Sequence, residues 1–160
     1  MMKIIDIVDY DVANYKKASM FIIFPYCSFK CGREECQNYA LAHCEHLLVS
    51  ASRLIEVFEE NPLTEAVVCG GLEPMDSWED LRQFIHTFRY RHADDIVIYT
   101  GYTEEEIKDK IEWLSLYENI IIKFGRYIPN QESHFDELLG VELSSPNQYA
   151  KAYNVMEGYC

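Results

Sequence analysis

The stretch that decides the fold is MFIIFPYCSFKCGREEC, at residues 20–36. Its first half continues an apolar run over Ala18–Phe24 that predicts a buried strand, and a proline ends that strand. A short loop follows and carries three of the six cysteines of the chain: Cys27, Cys31 and Cys36. A cysteine-rich loop directly after a strand predicts a site at the carboxyl end of that strand.

The three loop cysteines have three and then four residues between them. Three thiolates on one compact loop are able to bind three irons of a [4Fe–4S] cube, which leaves the fourth iron open for chemistry. Two other interpretations stay open: a structural zinc site that recruits Cys44, and reduced thiols without a metal. Zinc sites more often use two cysteine pairs separated by a longer span. Of the other cysteines, Cys69 is expected to pack as a small hydrophobe, Cys44 to lie at the surface or in packing, and Cys160 gives no signal.

Length and composition predict one domain over residues 1–160, because 160 residues with 49% apolar content are enough to build a core. The 27 acidic and 14 basic side chains leave a net charge of −13, which argues against binding to nucleic acid or to an anionic membrane. The chain contains no long apolar span, and Asp6 interrupts any signal-peptide core. We therefore expect a soluble cytoplasmic protein with reduced thiols.

Strand and helix patterns alternate after the cysteine loop. A helix is predicted over Leu41–Glu60, and two later helices are marked by cap signals at Ser77-x-x-Asp80 and Thr103-x-x-Glu106. Further strands are predicted at Ala66–Cys69, Ile96–Tyr99 and Ile120–Lys123. This alternation predicts an α/β fold with a mostly parallel sheet, whereas the polar tail from Asn130 onward predicts no element.

Glycine turns follow the later strands at Gly70-Gly71, Thr100-Gly101 and Gly125. Because the carboxyl ends of parallel strands meet at one edge, these turns are expected beside the cysteine loop. Gly70-Gly71-Leu72-Glu73-Pro74 combines two residues that permit a close backbone approach with a carboxylate. A Gly-Gly after a strand is by itself usually only a turn, and the cysteine loop is what gives it significance.

In this order of motifs the sequence resembles the radical S-adenosylmethionine (SAM) enzymes, and more narrowly the activating proteins of anaerobic (class III) ribonucleoside-triphosphate reductases. The resemblance spans most of the chain. Its residues are Tyr26–Cys31, Cys36–Asn38, Gly70–Pro74, Tyr99–Tyr102 and Lys123–Tyr127, with weaker agreement at Leu138–Gly140 and Ser144–Gln148. The chain departs from the family in placing four residues between Cys31 and Cys36, where two are usual, and in having Lys123 where many relatives carry an acid.

The resemblance implies an incomplete (β/α) barrel in which Cys27, Cys31 and Cys36 hold a [4Fe–4S] cluster. SAM then chelates the open iron through its amino and carboxylate groups. By the same resemblance, the segment that receives the methionyl amino group is Gly70, Gly71 and Glu73, and Thr100 lines the SAM pocket. Lys123 is a candidate partner for the SAM carboxylate, and its ordinary role as a strand-end lysine stays open, as it does for Arg126.

The activity implied by the resemblance is reductive cleavage of SAM to a 5′-deoxyadenosyl radical, which takes a hydrogen from a glycine Cα of the reductase. The partners are then a glycyl-radical protein and an electron donor such as flavodoxin or ferredoxin. Four strands are too few to close an eight-stranded barrel, and the open side is expected to admit a protein loop. Two alternatives stay open: activation of another glycyl-radical enzyme, and a non-catalytic metal-binding module.

Overall fold

The computed structural model describes residues 1–29, 32, 34, 36 and 38–153. The helices within this part are α1 (Ala51–Glu60), α2 (Trp78–Arg91) and α3 (Lys108–Leu114), with 3₁₀ turns at Tyr39–His43 and Pro74–Ser77. The strands are β1 (Met2–Ile4), β2 (Asp6–Asp11), β3 (Ser19–Phe24), β4 (Leu47–Val49), β5 (Ala66–Gly71), β6 (Asp95–Tyr99), β7 (Ile120–Phe124), β8 (His134–Asp136), β9 (Val141–Leu143) and β10 (Tyr149–Tyr153).

The four apolar runs of the sequence form the centre of the main sheet. In the described chain this sheet has the order β10-β7-β6-β5-β3-β2. Strands β3, β5, β6 and β7 are parallel, while β2 and β10 pair antiparallel at the two edges. Parallel neighbours require crossover connections, and the segments with α1, α2 and α3 provide them. The carboxyl ends of the four central strands therefore meet at one edge of the sheet.

The three helices pack on one face of this sheet. Alternate strand residues such as Met20, Val67 and Ile98 point into this layer and are fully buried. Phe58 of α1 and Phe88 of α2 meet there edge to face, with ring centroids 5.0 Å apart. This layer fixes the position of the strands from which the edge loops leave.

The opposite face of the sheet is covered by parts of the chain for which the sequence predicts no element. Tyr15 and Leu139 are buried against Val68 and Val97, and the main chain of Lys16 donates a hydrogen bond to Leu139 O (2.7 Å). The antiparallel pair β8–β9 forms next to Leu139. Tyr15 also contacts the amino end of β6, because its hydroxyl donates a hydrogen bond to the Asp95 carboxylate (2.7 Å). The chain itself thus fills this face toward the amino ends of the strands.

Two local predictions are wrong. The helix predicted over Leu41–Glu60 begins at Ala51, because residues 47–49 pair with β1 and the side chain of Ser50 caps the helix by accepting from Arg53 N (3.0 Å). Ser77 makes no capping bond, since the 3₁₀ turn before α2 leaves it outside the extended conformation that a cap requires. The Asp80 carboxylate accepts from Lys3 N instead (3.0 Å).

The Thr103-x-x-Glu106 signal forms the predicted reciprocal pair. Thr103 N donates to Glu106 Oε1 (3.1 Å), and Glu106 N donates to Thr103 Oγ1 (3.3 Å).

Within the described residues no helix has the length and apolar character needed to span a bilayer. The strand order and pairing establish a mixed α/β sheet, but they do not establish that the sheet curls into part of a barrel. The incomplete barrel therefore stays a prediction.

Candidate metal and cofactor site

A cavity of about 270 Å³ lies at the carboxyl edge of the sheet. It brings together six of the residues singled out from the sequence: Cys27, Cys36, Gly71, Glu73, Thr100 and Lys123. Gly70 lies in β5. A Cβ atom there would stand 2.9 Å from Phe21 Cε2, so the absence of a side chain lets the Phe21 ring pack against the strand. Cys31 and Cys160 lie outside the described residues.

The cysteine loop is attached to the turn after β5 at several points. Glu73 N donates to Tyr26 O (2.7 Å), and the side-chain amide of Asn38 donates to Gly71 O (2.9 Å). Gly71 has a φ of +84°, and a Cβ there would stand 2.6 Å from Ile23 Cγ2, so this position requires glycine. The predicted turn at Gly70-Gly71 is wrong, because both glycines lie within the strand and pair with β3; their predicted role toward SAM stays a prediction.

The cavity receives two of the three predicted iron ligands, and both are half-buried thiols. Phe29 N donates to Cys27 Sγ (3.2 Å), and this contact depends on a left-handed backbone at Phe29 (φ 54°). Among the described residues, no group of three or more His, Cys, Asp or Glu side chains is arranged to hold a metal ion, and Cys31 is not among those residues.

Glu73 is the buried carboxylate of the cavity, with 6% of its surface exposed. Its Oε1 accepts from Gly101 N (2.7 Å) and Thr100 Oγ1 (3.0 Å), and its Oε2 accepts from Met75 N (3.1 Å). Burial raises the pKa of Glu73 from 4.5 to about 7, and the three hydrogen bonds oppose this shift. Thr100 and Gly101 thus fix the carboxylate in place, which gives the predicted pocket residue Thr100 a definite contact.

Lys123 is the buried ammonium of the same cavity. It donates to Gly125 O (2.9 Å) and lies over the Tyr99 ring, 5.7 Å from the centroid. Burial lowers the pKa of Lys123 to about 8, and the carboxylate of Glu73 opposes that shift. The cavity therefore carries one buried group of each sign, which matches the charges of a zwitterionic amino-acid group.

Arg126 lines the same cavity but is already paired. Its guanidinium binds the Glu106 carboxylate in a bidentate manner (2.8 and 2.7 Å) and lies over the ring of Tyr102. This pair lowers the pKa of Glu106 to about 2. Arg126 therefore joins the turn after β7 to the segment before α3.

The polar tail closes the cavity on a further side, which sequence patterns did not predict. Gln148 is buried; its Oε1 accepts from Ser144 N (3.0 Å) and its Nε2 donates to Gly125 O (3.3 Å). Asn147 donates to Arg126 O (2.9 Å). The available signal was the resemblance in residues 144–148, because short polar segments carry no periodicity. Asp76 was missed entirely, although it contacts the cysteine loop.

A comparison with known protein families identifies the family of the chain. Residues 17–148 match the family described as "4Fe-4S single cluster domain". The chain belongs to this family. It is therefore an iron–sulfur protein, and the iron–sulfur interpretation is favoured over structural zinc. Neither the curated proteins nor the solved structures contain a significant match to the chain.

The thiols of this 4Fe–4S domain protein differ in their fitness as iron ligands. A ligating thiol has to lose its proton and reach the cluster. Burial in the helix layer raises the pKa of the Cys69 thiol well above its ordinary value, which disfavours the thiolate. Cys44 is exposed, and its Sγ lies 3.8 Å from Ala40 O. Cys27 and Cys36 are the described thiols that line the cavity, so this site offers two sulfur donors of the kind that iron–sulfur clusters use.

Proposed function

We propose that the protein is a radical SAM activase that generates a glycyl radical on an anaerobic ribonucleotide reductase. The observation that carries the proposal is the shared cavity, where two thiols stand beside a buried carboxylate and a buried ammonium. A cluster with only cysteine ligands does not require a buried pair of opposite charges beside it. A cofactor that chelates iron through an amino-acid group requires both charges, one for its ammonium and one for its carboxylate.

The residues of the chain bind and orient the cofactor in this proposal. Cys27, Cys31 and Cys36 hold the [4Fe–4S] cluster and leave one iron open. Glu73 accepts the methionyl amino group, and its hydrogen bonds from Thr100 and Gly101 keep the carboxylate from rotating away. When bound and reduced, the cluster supplies one electron to the sulfonium of SAM, which yields methionine and a 5′-deoxyadenosyl radical.

Lys123 and Glu73 have complementary tasks at the amino-acid end of SAM. A carboxylate near Lys123 stabilises its ammonium, and a protonated amine near Glu73 stabilises the ionised carboxylate. Binding of the zwitterion therefore draws both side chains into their charged forms. Without the ligand, burial pushes both toward their neutral forms. The site thus favours a ligand that brings both charges, and it favours less a ligand with one.

The protein substrate follows from the resemblance described above, and two further observations are compatible with it. The cavity lies at the carboxyl edge of the sheet, which is the edge where ligands approach the parallel strands of α/β folds. No further pair of catalytic acid and base is needed, because the radical abstracts the hydrogen from the glycine Cα directly. The proposed electron donor is a flavodoxin or a ferredoxin.

Anaerobic reconstitution tests this function. We expect four irons per chain, and dithionite-dependent formation of 5′-deoxyadenosine from SAM. Cys31→Ala should abolish both cleavage and full iron loading, and Cys44→Ser is the matched control because that exposed thiol lies outside the cavity. SAM cleavage that persists in Cys31→Ala contradicts the ligand set. Iron loading without any SAM cleavage by the native chain contradicts the enzymatic proposal and supports a non-catalytic module.

A second experiment tests the target. The loaded protein is mixed with SAM, a reductant and a class III reductase, and the glycyl doublet is followed by electron paramagnetic resonance. We expect the doublet to form on the reductase. A doublet that forms on another glycyl-radical enzyme and not on the reductase keeps the radical chemistry and refutes the substrate.

A further inference from the structure

Asp76 joins the cysteine loop to two other turns of the cavity rim. Its Oδ2 accepts from the main-chain N–H of Ser28 (2.8 Å), which directly follows Cys27. Its Oδ1 accepts from the hydroxyl of Tyr102 (2.5 Å), and its own N–H donates to Glu73 O (3.0 Å). One short side chain therefore holds the start of the cysteine loop against the turns after β5 and β6.

The contact with Ser28 bears on the electron affinity of a cluster at Cys27. Main-chain N–H groups beside a ligating cysteine are the usual donors to cluster and ligand sulfur, and each such bond favours the reduced form. Phe29 N makes this kind of bond to Cys27 Sγ (3.2 Å). The N–H of Ser28, one residue earlier, donates to the Asp76 carboxylate.

The charge of Asp76 acts in the same direction. Asp76 is exposed, so water screens part of its charge, but a carboxylate bonded to the residue next to a ligating cysteine still disfavours the addition of an electron, because reduction makes a cluster more negative. The hydroxyl of Tyr102 compensates part of that charge. With a cluster at Cys27, the engagement of the Ser28 N–H group and the negative charge of Asp76 would both act to lower its reduction potential.

We propose that Asp76 is a positioning residue that fixes the Cys27 side of the loop and keeps the cluster strongly reducing. The proposal rests on the ligand role of Cys27 in the proposed function and not on the identity of the protein substrate. A strongly reducing cluster is what one-electron cleavage of a sulfonium requires. The role of Asp76 is distinct from binding SAM, because Asp76 does not line the cavity.

The test is the midpoint potential of the reconstituted protein, measured by redox titration with the electron paramagnetic resonance signal of the reduced cluster. Asp76→Asn keeps an oxygen acceptor for Ser28 N–H and removes the charge. Asp80→Asn is the matched control, because Asp80 lies on the next turn and accepts a main-chain N–H from Lys3 instead of the loop. We expect an upward shift of the midpoint potential in Asp76→Asn, with four irons retained, and the native potential in Asp80→Asn.

Each outcome decides the proposal. Equal potentials in Asp76→Asn, Asp80→Asn and the native protein overturn it, even if stability falls. If Asp76→Asn loads no iron, Tyr102→Phe decides: it removes the compensating hydroxyl, so a lower potential supports the proposal and an unchanged one overturns it. A native chain that loads no iron overturns the ligand set itself. A native chain that loads iron and cleaves SAM, with no effect at Asp76, overturns only the present proposal.

Discussion

Replacement of Glu73 by glutamine tests whether the cavity holds its carboxylate at a cost to stability. Burial raises the pKa of Glu73 from 4.5 to about 7, so the folded state binds this proton more tightly than the unfolded chain does. The carboxyl group therefore stabilises the fold most at low pH, and its contribution is lost as the pH rises from 4.5 through 7. A shift from 4.5 to 7 corresponds to about 3 kcal/mol in total, and about 2 kcal/mol of it falls between pH 5 and pH 7.

The assay is urea unfolding of the metal-free protein under anaerobic conditions at several pH values between 5 and 7. The quantity of interest is the free energy of unfolding of the native chain minus that of Glu73→Gln, because other titrating groups cancel in this difference. We expect it to fall by about 2 kcal/mol over this range. Glutamine still offers an oxygen to Gly101 N and Thr100, whereas its amide faces Met75 N, so a constant offset is expected as well.

The control for this experiment is Glu65→Gln, which replaces an exposed glutamate just before β5. Its difference from the native chain should not change between pH 5 and pH 7. A pH-independent difference for Glu73→Gln as well would refute the argument, since it would mean that Glu73 titrates alike in the folded and unfolded states.

Five further substitutions, two of which are matched controls, test the packing of the site and of the fold by urea unfolding at pH 7. Gly125→Ala should destabilise the fold by about 1–3 kcal/mol, since φ is +103° and a Cβ would stand 2.8 Å from a main-chain oxygen; Gly101→Ala, with no contact under 3.4 Å, should cost less than about 1 kcal/mol. Arg89→Lys should cost about 2 kcal/mol, because its guanidinium donates to four main-chain carbonyls. Arg82→Lys alters an exposed ion pair and a contact 6.0 Å from the centroid of the Trp113 ring, and should stay within about 0.5 kcal/mol. Phe88→Ala should cost about 3–5 kcal/mol, because it leaves a cavity in the helix layer. Equal stabilities of the two variants in either matched pair, or a small effect of Phe88→Ala, would contradict these assignments.

The central strands could be predicted from the sequence because each is an apolar run that the parallel sheet buries on both faces. Ile96–Ile98 and Ile120–Ile122 are buried throughout, and their unbroken apolar character carries the information locally. The start of α1 could not be predicted from its apolar spacing, because the stretch before it pairs with β1, which lies more than 40 residues earlier in the chain. The order of the cysteine loop and the glycine turn, in contrast, needed no knowledge of long-range contacts.

The rest of the candidate site depends on contacts between distant segments. Asp76 meets Ser28 across 48 residues, and Thr100 meets Glu73 across 27. Neither contact leaves a local pattern, although Glu73 and Thr100 stand in motifs that drew attention to them. Lys123 is the intermediate case, because its position at the end of a strand predicted its place at the edge but not its burial.

The two layers around the sheet restrict how the cavity is approached. In the described part of the chain, the helices cover one face, and Tyr15 together with Leu139 covers the other face toward the amino ends of the strands. A ligand therefore approaches from the carboxyl edge, where the cysteine loop, the turn after β5 and the tail around Gln148 meet. In the proposed function SAM and the protein substrate use this same edge, so SAM has to be in place before a bulky partner covers it. The contacts that hold the edge loops together, such as Asp76 with Ser28 and Gln148 with Gly125, then keep the cofactor site formed while the partner is still absent.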